Sequence, residues 1–121
     1  MSADAMKHVD PNCIFCKIVA GQVPSRKVFE DDELLVFHDV TPWAPVHLLV
    51  IPKEHIANLY EADDSHAPML GRMLPMAPKL MLDLGVTNGF RVFMNTGEDA
   101  RQEVQHVHMH IIGGPRPWAR G

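Results

Sequence analysis

Missing from this 121-residue chain is any apolar run long enough to cross a membrane. Missing from its start, MSADAMKHVDPN, are the basic and apolar regions of a secretory leader. A cytoplasmic location with no membrane partner is the expectation. Positive charge is scarce too: eleven Lys and Arg against fifteen Asp and Glu leave a formal net charge of −4. That disfavours nucleic acid as the main partner, because a binder of phosphate backbones needs a basic footprint. Cysteine is limited to Cys13 and Cys16, too few for a disulfide framework. A C-x-x-C pair in a reducing compartment points to metal or redox chemistry instead. Internal repeats and linkers are also lacking. Residues 1–121 therefore read as one domain, large enough for a core without staples, with polar tails over 1–11 and 113–121.

What is present begins with a short helix from Cys13 to Ala20, which Asn12 could cap and Gly21 would end. Lys27–Glu30 and Leu34–Asp39 read as strands around the acidic turn Asp31-Asp32-Glu33. Trp43 sits between two prolines in a stiff turn, and His47–Ile51 follows as an apolar strand. Met69, Leu70, Met73, Leu74, Ala77, Leu80, Met81 and Leu84 recur at helical spacing after the start signals Asp63, Asp64 and Ser65. Pro75 and Pro78 interrupt that stripe, so a kink or break is predicted near Pro75. Gly89–Asn95 reads as a fourth strand, and Thr96–Glu103 as a polar loop leading into a fifth. The class is α+β: a five-stranded antiparallel sheet with one longer and one short helix.

The fifth strand carries the chemistry. In Gln105-His106-Val107-His108-Met109-His110-Ile111-Ile112, side chains on a strand alternate faces. One face then bears Val107, Met109 and Ile111, and the other bears His106, His108 and His110. Three imidazoles in register are hard to explain as packing, because each buried ring needs a hydrogen-bond partner. A site is expected there.

His106-Val107-His108-Met109-His110-Ile111-Ile112 resembles the histidine-triad motif. Ile14-Phe15, Phe37-His38-Asp39, Ala44-Pro45-Val46-His47, Leu49-Val50-Ile51-Pro52, Asn95-Thr96-Gly97 and Gln102 stand in the accompanying order. The similarity spans about residues 13 to 118 and is nearest to the Hint branch of nucleoside phosphoramidases. It implies a nucleotide hydrolase that cleaves purine nucleoside 5′-phosphoramidates through a covalent nucleotidyl-histidine. His108 matches the nucleophile, which a neutral imidazole can be. His106 would orient it, His110 and Asn95 would face the phosphate, and His47 matches a fourth active-site histidine. The resemblance also places Gly97, Gln102 and Glu103 at the phosphate loop. Ile14, Phe15, Phe37, His38 and Val40 fall at the purine slot and Asp39 at the ribose hydroxyls. Phe15 and Phe37 could equally be core, and Asp39 a solvated turn residue. Catalysis needs no cofactor on this reading.

Two departures stand out. Arg101-Gln102 replaces the usual Gly-Gln of the phosphate loop, setting a long cation beside the phosphate or in solvent, and Glu103 follows where Ser or Thr is frequent. The resemblance further implies a structural zinc on Cys13, Cys16, His55 and His106; the alternative is two buried thiols and an exposed His55. It implies a symmetric homodimer as well, with Trp118 of one subunit approaching the partner's substrate, against a tail whose Trp118 has no role. Three rivals remain: a metallohydrolase with the three histidines as ligands, a non-enzymatic nucleotide-binding module, and a dinucleoside polyphosphate hydrolase or nucleotidyltransferase. The transferases tend to carry glutamine at the third triad position.

Overall fold

Leu34-Leu35-Val36-Phe37 and Leu48-Leu49-Val50-Ile51 are apolar without alternation, the pattern of strands covered on both faces. The computed structural model, which describes residues 8–120, places them at the centre of one sheet. Its strands are β1 (Lys27–Glu30), β2 (Leu34–His38), β3 (Val46–Pro52), β4 (Phe90–Phe93) and β5 (Met109–Gly113). Their spatial order is β1-β2-β3-β5-β4, with every pairing antiparallel.

Two helices cover the faces unequally. Helix α2 (Ala67–Asp83) lays Met69, Met73, Ala77, Leu80 and Met81 on Leu34, Val36, Leu48, Val50, Met109 and Ile111. Helix α1 (Ile14–Val19) sets Phe15, Cys16 and Ile18 against Leu35, Phe37, Leu49 and Ile51. Six residues cannot roof a five-stranded sheet, so part of the second face stays open. A cavity forms in that opening.

Several sequence expectations need correction. No break occurs at Pro75, and α2 runs unbroken through Pro75 and Pro78. Both prolines lie on its exposed side, where water can reach the carbonyls of Gly71 and Leu74 that lose their donors. The cap of α1 is Cys13, whose sulfur accepts from the Cys16 N–H, rather than Asn12. Gly113 belongs to β5 rather than to a tail. Of the tail expected over 1–11, residues 1–7 lie outside the described residues. The His8 carbonyl accepts from the His55 N–H at 2.7 Å, and the Asp10 carbonyl accepts from the Cys13 N–H at 3.1 Å. Among the described residues, no helix is long and apolar enough to cross a membrane.

Candidate active site

The histidine stretch enters the sheet later than alternation predicts. β5 begins at Met109, so His110 alone of the three is a strand residue. The alternation of faces nevertheless persists. Val107, Met109 and Ile111 join the α2 core, while all three imidazoles are buried on the other side. Each of them meets a different set of partners.

His106 is fully buried, and its Nε2 lies 2.7 Å from the Pro52 carbonyl oxygen. A carbonyl only accepts, so the proton is on Nε2 and the Nδ1 lone pair is bare. That Nδ1 is 3.4 Å from Cys13 Sγ, 3.6 Å from Cys16 Sγ and 3.3 Å from His55 Nδ1. Cys16 Sγ and His55 Nδ1 are 3.4 Å apart. Burial holds the His106 imidazole down to about 4, and pushes the Cys16 thiol up to about 11.

His108 Nδ1 lies 2.6 Å from the His106 carbonyl oxygen. By the same reasoning Nδ1 carries the proton and Nε2 keeps the free lone pair. Burial lowers the pKa of this ring, while the His106 carbonyl and the carboxylates of Asp39 and Glu103 oppose the shift. A bare Nε2 at neutral pH is what a nucleophile requires.

His110 is reached through a chain of hydrogen bonds. The Trp43 N–H donates to His47 Nδ1 at 3.0 Å, which places the His47 proton on Nε2. His47 Nε2 then donates to His110 Nδ1 at 2.9 Å, so the His110 proton must sit on its own Nε2. Burial, followed by the neighbouring His108 and His47, takes His110 down to about 4. It is therefore a neutral N–H donor. Phe93 stacks on it at 4.4 Å between ring centroids, and Trp43 lies nearly parallel at 5.8 Å. His47 stands behind His110 and does not line the cavity.

His108 and His110 open into a cavity of about 410 Å³. Ile14, Phe15, Phe37, His38, Asp39, Val40, Asn95 and Glu103, all expected on sequence grounds, line it with them. Trp43, Ile18, Val23, Leu49 and Val104 do so as well, and the sequence reading missed them. Trp43 carried a legible signal, since two prolines fix an aromatic ring there at low entropic cost. Asp39 lines the cavity and also holds a turn. Its Oδ1 accepts from the Thr41 N–H at 2.8 Å in a turn, and Oδ2 lies 3.5 Å from His47 Nε2.

Besides His47 and His106, three residues expected at the nucleotide stand outside the cavity. Gln102 is buried and spends its amide on the loop: Oε1 accepts from the Gly97 N–H, and Nε2 donates to the carbonyls of Ala57 and Val104. Gly97, at φ +85°, supplies the left-handed turn that permits this contact. Trp118 belongs to another part of the same chain, donating to the Gly114 carbonyl and facing the Arg91 guanidinium at 5.7 Å. The three triad histidines do not converge on one point, since His106 turns to the cysteines while His108 and His110 turn to the cavity. That geometry is wrong for a single ion held by all three.

Residues 12–118 match a family model described as the scavenger mRNA decapping enzyme C-terminal binding family. The chain is 47% identical over 104 residues to Protein HitA of Neisseria gonorrhoeae, covering 86% of this chain and 97% of that one. It is 43% identical over 107 residues to Adenylylsulfatase HINT1 of Arabidopsis thaliana, covering 87% of this chain and 73% of that one. A histidine triad protein from Clostridium difficile superposes with a TM-score of 0.84 at 41% identity, covering 89% of this chain and 95% of that one.

Proposed function

The chain belongs to the histidine-triad family, and on that premise we propose that it hydrolyses the P–N bond of purine nucleoside 5′-phosphoramidates through a nucleotidyl-histidine. The observation that carries this reading is the 2.6 Å contact from His108 Nδ1 to the His106 carbonyl, which leaves Nε2 as the ring's free base. Nε2 attacks phosphorus, and the amine departs with the bonding pair and a proton taken from water. A second water then attacks phosphorus, releasing the nucleoside monophosphate, the neutral imidazole and a proton of its own that neutralises the hydroxide left by the first. His110 Nε2–H, fixed through His47, donates to a phosphoryl oxygen as charge builds there. The purine lies between Phe15, Phe37 and Ile14, and Asp39 Oδ2 takes the ribose hydroxyls. Kinship with an adenylylsulfatase supports an adenylyl-transferring centre.

The same reading places a structural zinc on Cys13 Sγ, Cys16 Sγ, His55 Nδ1 and His106 Nδ1. A tetrahedral zinc with ordinary bond lengths requires S···N edges of about 3.6 Å and N···N edges of about 3.3 Å. Three of the four S···N separations here are 3.4, 3.4 and 3.6 Å, and the N···N separation is 3.3 Å. His106 Nε2 is engaged by Pro52, and His55 Nε2 faces the Asp10 carboxylate at 3.9 Å, the outer partners that zinc-bound imidazoles use. Such an ion would cross-link α1 to the histidine stretch and hold the His106 backbone beneath His108. The reading keeps a symmetric homodimer and a cytoplasmic location, where a thiol pair stays available for metal.

The test is His108→Ala. It should bind nucleotide and lose at least about 10³-fold in kcat toward adenosine phosphoramidates, since the nucleophile is gone. An acid-labile adenylyl adduct should be trapped on the parent protein alone. Equal turnover by the variant would overturn the mechanism.

A further inference from the structure

Ser25 stands apart from the other polar residues of the cavity wall. It is half-buried and lines the cavity together with Val23 and Pro24, the two residues before it. Its hydroxyl oxygen is shut off from solvent and has no hydrogen-bond partner among the described residues. Asn58 Oδ1 shares that condition but lies outside the cavity. A buried polar group left unpaired is destabilising, and native interiors hold few of them. The fold therefore gains nothing from this hydroxyl.

The sheet fixes where Ser25 stands relative to the chemistry. One transverse row runs Lys27, Phe37, Leu49, His110 across β1, β2, β3 and β5. Phe37, Leu49 and His110 all line the cavity, so this row crosses beneath it. The Arg26 carbonyl accepts from the His38 N–H at 3.0 Å, which carries the β1–β2 pairing one step further. Ser25 and Asp39 come next, each two residues from the Lys27↔Phe37 pair and therefore on its face. Because β1 is the outermost strand, Ser25 lies three strand spacings from the line of His110, about 14 Å. Asp39 lies between them on the line of β2. With phosphate at the β5 end and the ribose hydroxyls at Asp39, the base extends toward Ser25.

We infer that the Ser25 hydroxyl reads the polar edge of the base through a hydrogen bond. The inference rests on the nucleotide reading above and adds the group that recognises the base. Ile14, Phe15 and Phe37 can hold any flat ring, and apolar walls do not distinguish one polar edge from another. A hydroxyl both donates and accepts, so it can pair with a ring nitrogen or with an exocyclic amino or carbonyl group. Rotation about χ1 carries it among three staggered positions, which lets it meet an edge entering the cavity. Ser25 gives up no hydrogen bond within the protein to make this one. Its contribution therefore stands at the upper end of the ordinary range, about tenfold in Kd.

The experiment is calorimetry on the full chain with AMP and analogues that each lack one polar group of the adenine edge. Purine riboside 5′-monophosphate lacks the amino group, and the 1-deaza, 3-deaza and 7-deaza forms of AMP carry C–H in place of a ring nitrogen. One analogue should bind the parent about tenfold more weakly than AMP does, and Ser25→Ala should weaken AMP by the same factor. In Ser25→Ala that analogue and AMP should bind alike, because the two losses are one interaction. The coupled analogue identifies the atom that is read. The variant should also melt no lower than the parent, since the hydroxyl it loses is unpaired. Unchanged AMP affinity in Ser25→Ala, or the same ratio of every analogue to AMP in both proteins, overturns the inference. A lowered Tm with unchanged AMP affinity makes the hydroxyl structural and overturns it too. A parent that shows the coupling but hydrolyses no adenosine phosphoramidate defeats the hydrolase reading alone, while a parent that binds none of these nucleotides removes both.

Discussion

Substituting His47 tests the hydrogen-bond chain that sets the His110 tautomer. The side chain is 2% exposed; its Nδ1 accepts from the Trp43 N–H at 3.0 Å and its Nε2 donates to His110 Nδ1 at 2.9 Å. His47→Ala removes both contacts, and each polar group left unpaired in the interior costs about 1–3 kcal/mol. A 121-residue domain has roughly 6–18 kcal/mol to lose, so the variant should fold with a lowered Tm. In activity, His110 becomes free to carry its proton on Nδ1, and the Nε2–H aimed at the phosphoryl oxygen is withdrawn. Losing a donor of that kind costs on the order of 10² in kcat. Asparagine and glutamine separate the two contacts. An Asn amide reaches the position of Nδ1 and can still accept from Trp43, whereas a Gln amide reaches the position of Nε2 and can still donate to His110. His47→Gln should therefore keep kcat within about tenfold of the parent. His47→Asn should fall as far as His47→Ala in kcat while recovering part of its stability. Steady-state turnover of an adenosine phosphoramidate, beside thermal melts of the same samples, reads both quantities. If the Asn variant turns over as fast as the Gln variant, or the Ala variant stays within twofold of the parent, the tautomer argument fails.

Protein purified without added zinc should carry about one equivalent per chain by elemental analysis, and Cys13→Ser should lower Tm more than kcat. Absence of metal together with two freely titratable thiols would refute the site. Burial takes His110 from 6.5 to about 4. The unfolded chain then binds the extra proton first on acidification, and the stability present above pH 6.5 drains away as pH falls through 4, by roughly 3 kcal/mol for this one group. Urea unfolding of the parent and His110→Gln between pH 7.5 and 4 should show a shallower acid limb in the variant. An identical slope would count against the buried neutral ring. Light scattering should report about twice the 13.6 kDa chain mass, given the symmetric homodimer proposed here. A fully active monomer would remove the partner subunit from the reading.

The sheet was legible wherever burial fell on both faces or on alternate residues. Leu34–Phe37 and Leu48–Ile51 are unbroken apolar runs because α1 and α2 cover opposite sides of them. Helix α2 was legible from its methionine stripe, while its supposed break was not, because residue type alone does not say that Pro75 and Pro78 face water. Cavity-lining residues far apart in sequence, such as Val23 and Val104, gave no signal, since a lone apolar residue reads as core. The roles of His47 and Gln102 were hidden for another reason. Each acts through hydrogen bonds to residues from other elements, and spacing records nothing of them.

Why the predicted strand starts late is itself part of the site. β3 and β5 pair from Val46↔Gly113 to Val50↔Met109, and continuing that register would set Pro52 opposite Val107. Proline has no N–H to give to a ladder, so pairing ends in its neighbourhood. The Val107 N–H turns instead to the Ile56 carbonyl at 2.7 Å. The Pro52 carbonyl is then available to take the His106 Nε2 proton, which bares Nδ1 toward the cysteines. The His106 carbonyl takes the His108 Nδ1 proton, which bares Nε2 for the proposed attack on phosphorus. A regular strand through residues 106–108 would commit the Pro52 carbonyl to the Val107 N–H and leave the His106 imidazole free to adopt either tautomer. The motif thus needs alternation to bury its apolar face. It also needs the alternating strand to stop pairing where the chemistry begins, and Pro52 on the neighbouring strand supplies that stop.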